Sequence, residues 1–150
     1  MACARFAFAG FAAGTQGGLI SLDVPAYLRR AVSFRRAERG AVDLDIDLEQ
    51  LRRALEQRSL ALFDELKYAE AESLLGDMSA YWPTPFVFYN LACAQSLQLN
   101  THAAALSLKA AIDAGYRNLG HMIADNDLGA LRAHRSWSAI CNHLVDKLNE

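Results

Sequence analysis

The sequence predicts an all-α protein built from antiparallel helical hairpins. Three observations carry that prediction. Alanine and leucine dominate, proline is confined to Pro25, Pro83 and Pro85, and the two-residue alternation of a strand appears only at Val42, Leu44, Ile46 and Leu48. From Phe88 to Ile112, apolar residues recur at helical spacing in two runs, Phe88, Leu91 and Ala92 before a polar break and Ala104, Ala105, Leu108, Ala111 and Ile112 after it. The segment before this pair repeats its pattern. At 150 residues the chain is one domain in length and needs no disulfide or metal to hold a core.

Residues 1–45 form an N-terminal extension and residues 46–150 the helical domain. The extension opens with Arg5, an apolar run from Phe6 to Ala13 and a glycine-rich break. That run is too short for a membrane span, which takes about 20 apolar residues. It is expected to be an uncleaved arm, with a mitochondrial presequence and a signal peptide as alternatives. The glycines at 10, 14, 17 and 18 lack the Lys-Ser/Thr pair and the preceding strand of a phosphate loop. Cys3, Cys93 and Cys141 are odd in number and contain no C-x-x-C pair, which points to a reducing, intracellular compartment, taken as the cytoplasm.

A helix is predicted from Pro25 to Arg39, with Pro in its first turn, Tyr27, Ala31 and Phe34 on one face and Gly40 as its stop. Arg29, Arg36 and Arg39 share another face. The net charge of −2 is unremarkable, and no DNA partner is expected, but the charge is unevenly spread. Residues 1–40 carry six Arg against Asp23 and Glu38, whereas residues 41–77 carry ten acids against four bases. The basic helix is therefore a candidate patch for RNA phosphates or an anionic membrane.

Asp43, Asp45 and Asp47 mimic the start of a calcium loop, but Leu48 stands where that loop needs Gly and Ala54 where it needs Glu. Asp47 reads instead as the N-cap of a helix running through Leu51, Leu55 and Leu62. A second helix from Tyr68 to Met78 follows after so short a link that the two must be antiparallel neighbours. Trp82 to Pro85 breaks the chain, with Thr84 as a cap for the next helix. After Ile112, Gly115 stops the pair, and a short amphipathic piece at Leu119, Met122 and Ile123 leads to a turn at Asp125-Asn126-Asp127. Leu128 and Leu131 give one further helical turn. The last helix opens near Ser136 and carries the cleanest apolar face: Trp137, Ile140, Cys141, Leu144, Val145 and Leu148.

Leu55, Ser59, Leu62, Tyr68, Ala71, Leu75 and Pro83 correspond at a constant offset of 33 to Phe88, Ala92, Gln95, Thr101, Ala104, Leu108 and Tyr116. Small residues at 59/92 and 71/104 let the helices of each hairpin approach, while bulky ones fill the space between hairpins. This pattern resembles the tetratricopeptide repeat, best at Tyr89-Asn90-Leu91-Ala92 with Ala104 and Ala111. The first unit departs from it at Arg58 and Met78, the second at Gln95, Thr101 and Tyr116. DNDLGALRAHRSWSAICNHL resembles the degenerate tail that closes such arrays, so that the likeness covers residues 50–148.

The resemblance implies a short right-handed superhelix of stacked hairpins whose concave face takes a peptide or a partner helix. The groove residues it suggests are Arg58, Phe88, Asn90 and Gln95. Arg58 and Gln95 are singled out because they are polar where the repeat wants bulk. The subgroup that grips a chaperone's C-terminal carboxylate is not matched: Asn90 fits, but Glu56, Leu60, Gly120 and Ala124 replace its other ligands.

No enzyme, cofactor or metal is expected. His102, His121, His134 and His143 show no His-Glu-x-x-His spacing, and a site from His121, Asp125 and Asp127 lacks a second His or a Cys. Cys93, the one candidate nucleophile, lies within an apolar helix with no activating cation nearby in sequence. The expected function is that of a non-enzymatic scaffold, adaptor or small subunit of a larger assembly; the alternative is RNA or membrane docking through residues 25–39. The sequence leaves the oligomeric state and the partner open.

Overall fold

The computed structural model describes residues 48–150, all of whose regular structure is helical. The N-terminal arm, the expected helix at 25–39 with Arg29, Arg36 and Arg39, and the Asp47 cap lie outside the described residues. Seven α-helices follow in order: α1 Leu48–Asp64, α2 Tyr68–Tyr81, α3 Pro85–Leu97, α4 Thr101–Asp113, α5 Leu119–Ala124, α6 Gly129–Arg132 and α7 Trp137–Leu148, with a single 3₁₀ turn at Asn126–Leu128 between α5 and α6. No described helix is long and apolar enough to cross a membrane.

The helix ends are set by local chemistry. At the start of α3 the Thr84 hydroxyl accepts a hydrogen bond from the Val87 N–H at 3.3 Å, and Pro85, which has no N–H to leave unsatisfied, fills the first turn. α1, α3 and α4 all end in one geometry. Lys67 N–H bonds Leu62 C=O at 2.8 Å and Leu66 N–H bonds Phe63 C=O at 3.0 Å; Asn100 and Leu99 repeat the pair on Gln95 and Ser96, and Tyr116 and Gly115 repeat it on Ala111 and Ile112. This double bond requires a left-handed residue at its corner. The corners are Leu66 (φ 59°), Leu99 (φ 64°) and Gly115 (φ 110°), and the first two stand 33 positions apart. The two leucine side chains project into solvent, 70% and 76% exposed.

Three-residue connections make α1/α2, α2/α3 and α3/α4 antiparallel neighbours, and each of these pairs is packed face to face. Ser59, Ala71, Ala92 and Ala104 are all fully buried, so backbones approach closely where these side chains meet. Leu62, Phe63, Leu74, Leu75, Met78, Leu108 and Ile112 fill the remaining space. α3 is the centre of the packing: every residue from Phe86 to Ser96 except Phe88 is buried, because α2, α4, the 3₁₀ turn and α6 all press against it. A helix apolar around nearly its whole circumference is stable only when enclosed in this way.

α7 packs on α4 through Ile140 and Leu144. Its buried face is narrower than the six-residue stripe in the sequence. Trp137 and Cys141 are half-buried and Val145 and Leu148 are exposed; among the described residues α7 packs mainly on α4, with a lighter contact to α5.

Candidate functional site

The four expected groove residues occupy different environments. Arg58 lies on the surface of α1, where its Nη1 donates to Glu65 Oε1 at 2.7 Å, seven residues on and just past the end of the helix. Glu65 also receives Lys67 Nζ at 2.8 Å, and these two cations, Lys67 first, hold its carboxyl below the usual carboxylate range. Phe88 is half-buried against the core.

Asn90 and Gln95 point into the protein instead. Asn90 is 1% exposed, and its Nδ2 donates back to Phe86 C=O at 2.8 Å, the bond expected of a short amide inside a helix that leaves it no solvent. Gln95 donates through Nε2 to Glu72 Oε1 at 3.2 Å and accepts through Oε1 from Ser107 Oγ at 2.7 Å. It therefore bridges α2, α3 and α4, and Gln98 adds a second bond to Glu72 at 2.7 Å. Gln95 is the hub of an internal network, and both it and Asn90 are buried among the described residues.

A second group of functional side chains gathers where the C-terminal segment meets α3. Asp125, 5% exposed, accepts the Tyr89 O–H on Oδ2 at 2.9 Å and the Asp127 N–H on Oδ1 at 3.0 Å. The Cys93 Sγ, one turn beyond Tyr89, is 3.9 Å from Oδ2, as is His121 Nε2. Tyr116 stacks on Tyr89 with ring centroids 4.6 Å apart, donates to Asn118 C=O at 2.9 Å, and its oxygen lies 2.9 Å from His121 Nδ1. Burial, reinforced by Cys93 and Asp125, pushes the Tyr89 hydroxyl well above its ordinary pKa, and burial does the same to Tyr116.

Chemically, this cluster meets the two oxygens of one buried carboxyl group with a phenol, a backbone amide and a thiol. A thiol becomes a nucleophile beside a cation or a helix N-terminus, whereas Cys93 sits beside a carboxylate. No group of three His, Cys, Asp or Glu side chains among the described residues is arranged to hold a metal ion. Asp125 does what its Asp-Asn-Asp context announces, capping the 3₁₀ turn through Oδ1. Its bond to Tyr89 is the part sequence reasoning missed, and the only trace of it is that Tyr89 and Cys93 are four apart and so share a helix face.

The described chain is thus an all-helical protein of packed hairpins with a polar node closing its C-terminal end. No protein-family model matches the chain, no curated protein matches its sequence, and no solved structure matches it.

Proposed function

We propose that the chain is a non-enzymatic scaffold of tetratricopeptide type, an adaptor or small subunit that takes a peptide or helix of another protein along the first helices of its hairpins. The observation that carries this reading is the 33-residue register. The end of α1 and the end of α3, the left-handed leucines at 66 and 99, and the starts of α2 and α4 all recur at that interval, as do the buried pairs Ser59/Ala92, Ala71/Ala104 and Leu75/Leu108. A repeated unit of two helices buries its apolar faces only by stacking, and stacking leaves a continuous surface along the first helix of each unit.

Of the four expected groove residues, Arg58 and Phe88 are the two that are only partly buried. Arg58 is already charge-paired with Glu65, so a partner carboxylate gains by replacing Glu65 rather than by desolvating a lone cation. Asn90 and Gln95 shape the surface from beneath. The test is a photo-crosslinking amino acid placed singly at Arg58, Phe88 and Lys109 in the native cell, Lys109 being an exposed α4 position. A discrete adduct of the same mass from 58 and 88 and not from 109 supports the groove. Adducts from all three positions alike, or from none, refute it.

A further inference from the structure

We propose that residues 118–133 form a strap that opens as a unit while α1 to α4 remain folded, and that the Tyr89–Asp125 bond is its latch. The strap is assembled from pieces that cannot stand alone. α5 has six residues, the 3₁₀ turn three and α6 four, whereas an isolated helix in water is marginal below about 12–15 residues. Order in this segment is therefore borrowed from its neighbours, chiefly α3, with lesser contacts to α4 and α7.

The seam between strap and α3 differs in chemistry from the seams among α1 to α4, which are mainly apolar. Met122, Leu128 and Leu131 anchor the strap and are fully buried. Between them, the link to α3 is polar: Tyr89 O–H to Asp125 Oδ2 at 2.9 Å, and Leu131 N–H to Ser96 Oγ at 3.3 Å. Arg132, the strap's own cation, donates to the backbone carbonyls of Asp125 and Ile123, which ties the strap to itself and not to α3. Asp125 consequently brings its carboxyl group into the interior, where Tyr89 of α3, the Asp127 amide and, at 3.9 Å, Cys93 Sγ and His121 Nε2 surround its two oxygens. Opening returns that carboxylate to water, so the polar seam yields before the apolar ones do.

Opening uncovers the face of α3 that bears Tyr89 and Cys93, and Cys93, 2% exposed when the strap is closed, reports the event. The experiment is alkylation of the full-length native protein by iodoacetamide, read at each cysteine by mass spectrometry, with hydrogen exchange measured in parallel. Tyr89→Phe keeps the ring and removes the hydroxyl that donates to the buried Asp125. Hydrogen bonds to charged groups carry about 1.5–3 kcal/mol, so Cys93 alkylation should accelerate about tenfold to hundredfold. Exchange in residues 119–132 should rise with it, while the amides of α1 and α2 and the alkylation of Cys141 stay as in the wild type.

Asp125→Ala should act in the same direction and serves as the second variant. Two results overturn the proposal: unchanged Cys93 alkylation in both variants, or acceleration that tracks α1 and α2 exchange with the denaturant dependence of global unfolding. The latter would make the strap an inseparable part of one cooperative core.

Discussion

Replacing Leu99 by glycine should make the protein more stable, against the usual direction of changes to glycine. Leu99 sits at φ 64°, where a side chain's Cβ crowds the following carbonyl at a cost of about 1–2 kcal/mol. It is 76% exposed, little different from a leucine in a compact unfolded chain, so its removal forfeits almost no burial. Against the relief stands the extra freedom glycine has when unfolded, about 0.5–1 kcal/mol. The difference is a gain of about 0–1.5 kcal/mol. For about 100 residues each kcal/mol of gain raises Tm by roughly 4–8 °C. Differential scanning calorimetry and urea unfolding of Leu99→Gly, Leu66→Gly and the double variant measure it. The two corners are 33 residues apart with separate hydrogen bonds, so the double variant should show the sum of the single gains. A fall in stability in either single variant would refute the strain argument, since it would mean that the exposed leucine, and not its backbone, sets the energy of the turn.

Ala104→Leu forces a larger side chain between two helices at a fully buried position and should destabilise by about 1–3 kcal/mol in urea unfolding, whereas Ala103→Leu, less buried beside it, should cost much less. Thr84→Ala removes the N-cap bond to Val87 and should cost about 1 kcal/mol, with Thr84→Ser recovering most of it. Asp113 accepts from Lys109 at 2.9 Å and from His143 at 2.6 Å, tying α4 to α7, and both lower its pKa, Lys109 most. Its stabilising effect is therefore full above the unfolded carboxylate range and is lost as pH falls through the depressed folded value. Asp113→Asn should lower Tm slightly at pH 7 and not at all near pH 2, as followed by circular dichroism.

The helices were legible because each is encoded locally. Thr84-Pro85 announces the start of α3, the alternation of Ala104, Leu108 and Ile112 marks the buried side of α4, and the offset of 33 read from Leu55/Phe88 reappears in the corners at Leu66 and Leu99. What sequence did not disclose depends on three-dimensional neighbours. Gln95 looked like a polar intrusion suited to a partner, but its partners, Glu72 and Ser107, are 23 and 12 positions away. Asp125 read as a cap and is one, yet its second oxygen is claimed by a tyrosine 36 positions earlier. The exposed half of α7 escaped prediction for a different reason. An apolar stripe records which residues can be buried, not whether a neighbour exists to bury them.

The three-residue links between α1, α2, α3 and α4 have a kinetic consequence. They place the seams among α1 to α4 between helices adjacent in the chain, so little loop entropy is lost before these contacts form, and folding of this body belongs in the microsecond-to-millisecond range of helical proteins. Because α3 is shared by both central seams, it is the natural nucleus. Substitutions at Ala92 or Leu91 should slow folding, while substitutions at Ile140 or Leu144, on the last helix to find its place, should chiefly hasten unfolding.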